Sequence, residues 1–132
     1  MLKAVGHLGI VVKDINASVQ ALSKVTGIQS PAIKEFSDKK IKCAVVELAG
    51  ISLEFIQDSS ETGMMAQFIR EKGDAIHHFC LLTDDIEADV EALKQRGIEM
   101  LDQKPRIGLR GKKIAFTKPS ALNGITLELS EP

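Results

Sequence analysis

The chain has 132 residues, 44% of them hydrophobic, with 17 basic side chains against 18 acidic ones and a formal net charge of −1. That length fits one compact domain, or two small modules with a shared core, and the near-neutral balance gives no whole-chain field toward nucleic acid or a membrane surface. Without Trp or Tyr there is little aromatic surface for stacking on bases, and no apolar run approaches the roughly 20 residues of a membrane span.

The opening MLKAVGHLGIVV lacks the pattern of a cleavable signal. Two cysteines at unrelated spacing give no disulfide framework, so a reducing cytoplasm is the expected setting. Residues 5–12 are apolar and β-branched, which predicts a strand. Asp14 can cap a helix whose apolar positions Ile15, Val19 and Leu22 recur at helical spacing, and Gly27 suits its end. Residues 41–48 and 51–57 read as a hairpin turning at Ala49-Gly50. A short helix is expected over 63–72, ending near Gly73. The same plan then returns as a strand at 76–83, a helix from Asp85 to about Arg96, and strands near 112–118 and 124–129. Pro105, Gly108 and Gly111 break the intervening segment.

The two halves also repeat in detail. HLGIVVKDI begins at His7, and an equivalent stretch follows from His78. A single slide sets His7 on His78, Asp14 on Asp85, Ile15 on Ile86, Val19 on Val90 and Leu22 on Leu93. Further on, Ile51-Ser-Leu-Glu54 matches Ile125-Thr-Leu-Glu128. The expected organisation is one domain over 1–132, with a first module at about 1–60 and a second at about 75–132.

Alternate side chains of a strand face opposite sides. Ile125, Leu127 and Leu129 share one face of the last strand, and Thr126, Glu128 and Ser130 the other. The same split separates Leu53 and Phe55 from Glu54, Ile10 and Val12 from His7, and Phe79 and Leu81 from His78. Four strands thus pair an apolar, helix-facing side with a side that carries one His or Glu each. By this parity His77 faces the core side, whereas His78 matches His7.

Two imidazoles and two carboxylates suit a divalent ion such as Co, Zn, Ni or Mn, and the two carboxylates balance its charge. Four protein ligands on an octahedral ion leave two positions open, whereas a structural zinc site more often closes with thiolates. His7, Glu54, His78 and Glu128 are therefore the candidate metal ligands. Cys80 lies on the same face as His78, where a small buried hydrophobe is the expected role.

These residues, with GDAIHHFCLLTDDIEADVEALKQRGI at 73–98, KPRIGLRGKKIAF at 104–116 and NGITLEL at 123–129, resemble the vicinal oxygen chelate superfamily, and within it the methylmalonyl-CoA epimerases. The resemblance implies an α+β fold of two tandem βαβββ modules forming a curved mixed sheet around a metal cleft. It implies metal ligands at His7, Glu54, His78 and Glu128. It further implies removal and return of the α-proton of an acyl-CoA thioester, with Glu128 as one acid/base. Some members carry a second Glu in the third strand of the first module, where Cys43 stands here; Glu47 shares its strand parity and is the alternative. The aromatic pair usual in the first helix is replaced by Val19-Gln-Ala-Leu22, and the usual His before a late Pro by Lys118. Such proteins are often homodimers.

From Gln103 to Lys118 the chain carries Lys104, Arg106, Arg110, Lys112, Lys113 and Lys118 and no acid. Arg106, Arg110, Lys112 and Lys113 are candidate contacts for coenzyme A phosphates, with N–H groups at Gly108 and Gly111 able to approach the anion. A solvated turn beside a lysine-protected edge strand accounts for the same residues. Two other functions compete with the epimerase. One is a glyoxalase I-like lyase acting on a thiohemiacetal; the other is a non-catalytic small-molecule binder of the same fold.

Overall fold

The computed structural model describes residues 2–132. Its elements run β1 (Leu2–Val11), α1 (Ile15–Thr26), β2 (Lys34–Phe36), β3 (Ile41–Leu48), β4 (Ile51–Asp58), α2 (Met64–Lys72), β5 (Ala75–Thr83), α3 (Ile86–Gln95), β6 (Arg106–Ile107), β7 (Lys113–Phe116) and β8 (Thr126–Ser130), with a short 3-10 turn at Pro119–Ala121. The order is βαβββ twice, with α2 as the connection. The chain divides into two compact units, residues 8–77 and residues 78–132 together with 1–7.

In the unit of residues 8–77 the strands run β2-β3-β4-β1. β1 and β4 are parallel, with Gly9 opposite Glu54, while β3 is antiparallel to β4, with Val45 opposite Glu54. Asp14 is extended, and its Oδ1 accepts from Ala17 N at 3.1 Å, satisfying one of the orphan donors at the start of α1. Gln57 Oε1 accepts another, from Ile15 N at 2.9 Å. Gly27, at φ 77°, ends the helix in a left-handed conformation that is cheap only for glycine. Ile15 and Val19 of α1 pack on Val12, Ala44, Val46 and Phe55, with Ile10, Leu22 and Leu53 at the margin. Burying a side chain the size of Ile15 contributes about 1.5–3 kcal/mol.

The second unit orders its strands β1-β5-β8-β7-β6. β5 and β8 are parallel, with Cys80 opposite Glu128, and β7 is antiparallel to β8, with Phe116 opposite Glu128. Asp85 caps α3 by accepting from Ala88 N at 3.1 Å, and Glu87 and Asp89 place negative charge in its first turn, where the helix dipole favours it. Thr83, fully buried, accepts from Asp85 N at 3.1 Å and donates to Asp89, which fixes the turn from β5 into α3. Ile86 and Val90 pack on Met100, Ala115, Leu127 and Leu129.

The strand parities read from the sequence hold in both cores: Phe55, Leu53, Ile10 and Val12 line one, and Phe79, Leu81, Leu127 and Leu129 the other. β2, β6 and the 3-10 turn were not expected. Lys34-Glu35-Phe36 and Arg106-Ile107 are too short and too polar to show alternation, and antiparallel pairing to β3 and β7 makes them strands.

Candidate metal centre

His7 near the middle of β1, His78 in β5 and Glu128 in β8 are all buried, and their polar atoms converge. His78 Nε2 lies 3.0 Å and His7 Nε2 3.2 Å from Glu128 Oε2, and the two Nε2 atoms are 3.2 Å apart. Burial by itself would raise the pKa of Glu128, but hydrogen bonds from His7 and His78 outweigh it and lower the pKa to about 2. Glu128 is therefore a carboxylate at neutral pH. Arg110 Nη2 stands 3.3 Å from His7 Nδ1. A guanidinium only donates, so in this contact Nδ1 is the acceptor.

Packing fixes the imidazoles. The His7 and His78 rings meet edge to face at 5.3 Å, and Phe116 packs edge to face on His78, also at 5.3 Å. Phe116 is held in turn by Asp102, whose Oδ2 accepts from Phe116 N at 2.9 Å, and by Arg106, whose guanidinium lies 5.7 Å from the ring centroid. Nothing in the residue spacing singles out Phe116 or Asp102, because both act on the site only through three-dimensional packing. His77 turns to the other side and packs on Phe68 of α2 at 4.8 Å.

The donor set fits a divalent ion. Ligand atoms bound at about 2.0–2.2 Å are separated by roughly 3 Å around one ion, which matches the three Nε2 and Oε2 separations. One N/N/O triad with room for further ligands is a common arrangement for catalytic first-row metals. Cys80 is also near: its Sγ, a His7 ring nitrogen and a Glu128 oxygen all lie within 4.8 Å of one another. Glu54 belongs to the other unit, buried on β4 beside Gly9 and Val45. On the same face of β3, Cys43 is buried and Glu47 is exposed.

The basic stretch is more heavily engaged than the sequence suggested. Arg106 pairs with Asp102 at 2.9 Å, Lys113 with Glu87 at 2.5 Å and Lys118 with Glu99 at 3.4 Å. The acids come from before the stretch, so the local count missed them. The N–H groups of Gly108 and Gly111 donate to the carbonyls of Lys112 and Gly108, at 2.8 and 3.1 Å. They close the turn rather than offering an anion nest, which corrects the expected role of these two glycines.

A family model described as the glyoxalase/bleomycin resistance protein/dioxygenase superfamily matches residues 6–116. The chain belongs to that superfamily. Its relatives include the ethylmalonyl-CoA/methylmalonyl-CoA epimerase of Cereibacter sphaeroides, 29% identical over 99% of both chains. The uncharacterized protein YqjC of Bacillus subtilis is also 29% identical, over 96% of this chain and 90% of its own length. Among solved structures, a variant of the Streptomyces coelicolor methylmalonyl-CoA epimerase in complex with 2-nitronate-propionyl-CoA superposes with a TM-score of 0.85, covering 99% of this chain and 95% of that one at 22% identity. The fold is accordingly the mixed α+β fold of the superfamily's epimerases. No helix among the described residues is long and apolar enough to cross a membrane.

Proposed function

We propose that the chain is a metal-dependent epimerase that removes and returns the α-proton of an acyl-CoA, with methylmalonyl-CoA or a close homologue as substrate. The observation that carries this reading is the convergence of His7, His78 and Glu128, buried and within 3.2 Å of one another, at the positions the internal repeat selects. The full-length similarity to a Cereibacter sphaeroides epimerase supports the substrate class, as does the 2-nitronate-propionyl-CoA in complex with the Streptomyces coelicolor epimerase variant.

His7, His78 and Glu128 would hold a divalent ion. When bound, such an ion supplies Lewis acidity, stabilising negative charge that develops on the substrate as the α-proton leaves. The rest falls to the chain. Glu128 is ionised at neutral pH, the form a proton acceptor requires. The resemblance to the epimerases makes the buried Cys43 thiol the candidate partner acid/base, with the exposed Glu47 as the alternative. Arg110, beside His7, is the candidate contact for a substrate anion, and the exposed Lys112 a candidate contact for the coenzyme A phosphates. Arg106 and Lys113 would join them only by leaving Asp102 and Glu87.

The test is solvent deuterium exchange into C2 of methylmalonyl-CoA by metal-loaded protein, followed by NMR. Exchange is expected, and Glu128→Gln lowers its rate by about 10²–10⁴-fold, the usual contribution of a positioned acid/base. Absence of exchange by wild-type protein that demonstrably carries metal would overturn the reading. Cys43→Ser should reduce exchange while leaving metal content unchanged; full exchange in that variant removes Cys43 from the mechanism.

A further inference from the structure

We propose that Cys80 Sγ is a donor to the ion that the cluster would hold, making this a mixed imidazole, carboxylate and sulfur site; the inference rests on the metal reading above. Three observations carry it. Cys80 sits directly opposite Glu128 in the parallel β5/β8 pair, two residues from His78 on the same face of β5. It is 1% exposed, and His7 and Glu128 are 4% and 7% exposed, so the sulfur belongs to the same dry space. Its Sγ lies within 4.8 Å of both a His7 ring nitrogen and a Glu128 oxygen. Bonds of about 2.0–2.3 Å around one ion set ligand atoms roughly 3–4.6 Å apart, a range close to the separations of sulfur from these two donors.

The neighbouring strand leaves space for this. A Cβ at Gly6 would stand 3.2 Å from Cys80 Sγ and 2.9 Å from Leu82 Cδ2, so any side chain there would crowd the sulfur. On coordination the Sγ–metal bond replaces the S–H bond, and the proton passes to solvent. Sulfur is the soft donor of the set. It shifts the site away from Mn and Mg and toward thiophilic ions such as Co, Zn and Cd. Simple packing of a small buried side chain predicts none of these effects.

Titration of metal-free protein with Co²⁺ tests the assignment. With sulfur bound, one equivalent of Co²⁺ produces a near-ultraviolet thiolate-to-cobalt charge-transfer band. Cys80→Ser still binds cobalt but loses that band, and its preference for Cd²⁺ over Mn²⁺ falls by roughly tenfold or more. X-ray absorption on the wild-type cobalt protein, which needs no variant, is expected to show a sulfur scatterer at about 2.3 Å. Cobalt bound with only nitrogen and oxygen scatterers overturns the role of Cys80 and leaves the metal centre standing. Failure of wild-type protein to bind cobalt at all overturns the metal reading and, with it, this inference.

Discussion

Glu128 is under two opposed pressures: burial favours its neutral form, and two imidazole hydrogen bonds favour the carboxylate. The bonds win, taking the pKa from 4.5 to about 2. Because the folded value lies below the unfolded one, the stabilisation is complete above about pH 5 and is lost as pH falls through 4.5 toward 2. A shift of this size is worth about 3 kcal/mol. Urea denaturation of metal-free wild type and Glu128→Gln at a series of pH values should therefore show a stability difference that shrinks by about that much between pH 5 and pH 2. A difference that does not change with pH contradicts this account of the carboxylate. At this scale the sequence was most informative where it repeats itself. His7, His78 and Glu128 were legible because two copies mark equivalent strand positions, and parity put them on one face. Asp102, Phe116 and the Arg110 contact with His7 were not legible, because their effect depends on loop geometry that no spacing rule encodes.

Among the elements, the β3–β4 hairpin carries avoidable strain. Ala49 and Gly50 both have positive φ, 51° and 84°, the conformation of a two-residue type I′ turn. Gly tolerates it, but the Cβ of an alanine there crowds the following carbonyl oxygen. The second half solves the comparable turn before β8 with Asn123-Gly124, at φ 53° and 117°. Ala49→Asn should accordingly raise stability by about 0.5–1 kcal/mol, visible as an increase of a few degrees in Tm. An unchanged or lower Tm would show that the turn does not hold this geometry. The helices were the most legible elements, since Asp14 with Gly27, and Asp85 with the apolar run after it, state both a cap and a period. Short edge strands such as β2 were not, because pairing rather than composition creates them.

Across the whole molecule, duplication supplies each unit with its own helix-on-sheet core, one built on Ile15 and Val19 and the other on Ile86 and Val90. The division does not follow the two copies at the N-terminus. His7 comes from the first copy but belongs to the unit formed mainly by residues 78–132. The His7–His78–Glu128 cluster thus joins side chains from both copies inside one unit, and an ion bound there would tie His7 to the second half. Since such binding acts on the folded form alone, it should also stabilise the protein. What matters most is whether these three side chains hold an ion. Equilibrium dialysis of metal-free protein against Co²⁺ or Zn²⁺, with elemental analysis, tests it most directly. One ion per chain is expected for wild type, with stoichiometric binding lost in both His78→Ala and Glu128→Ala. A folded wild-type protein that takes up no stoichiometric ion, or variants that retain it, would contradict the account.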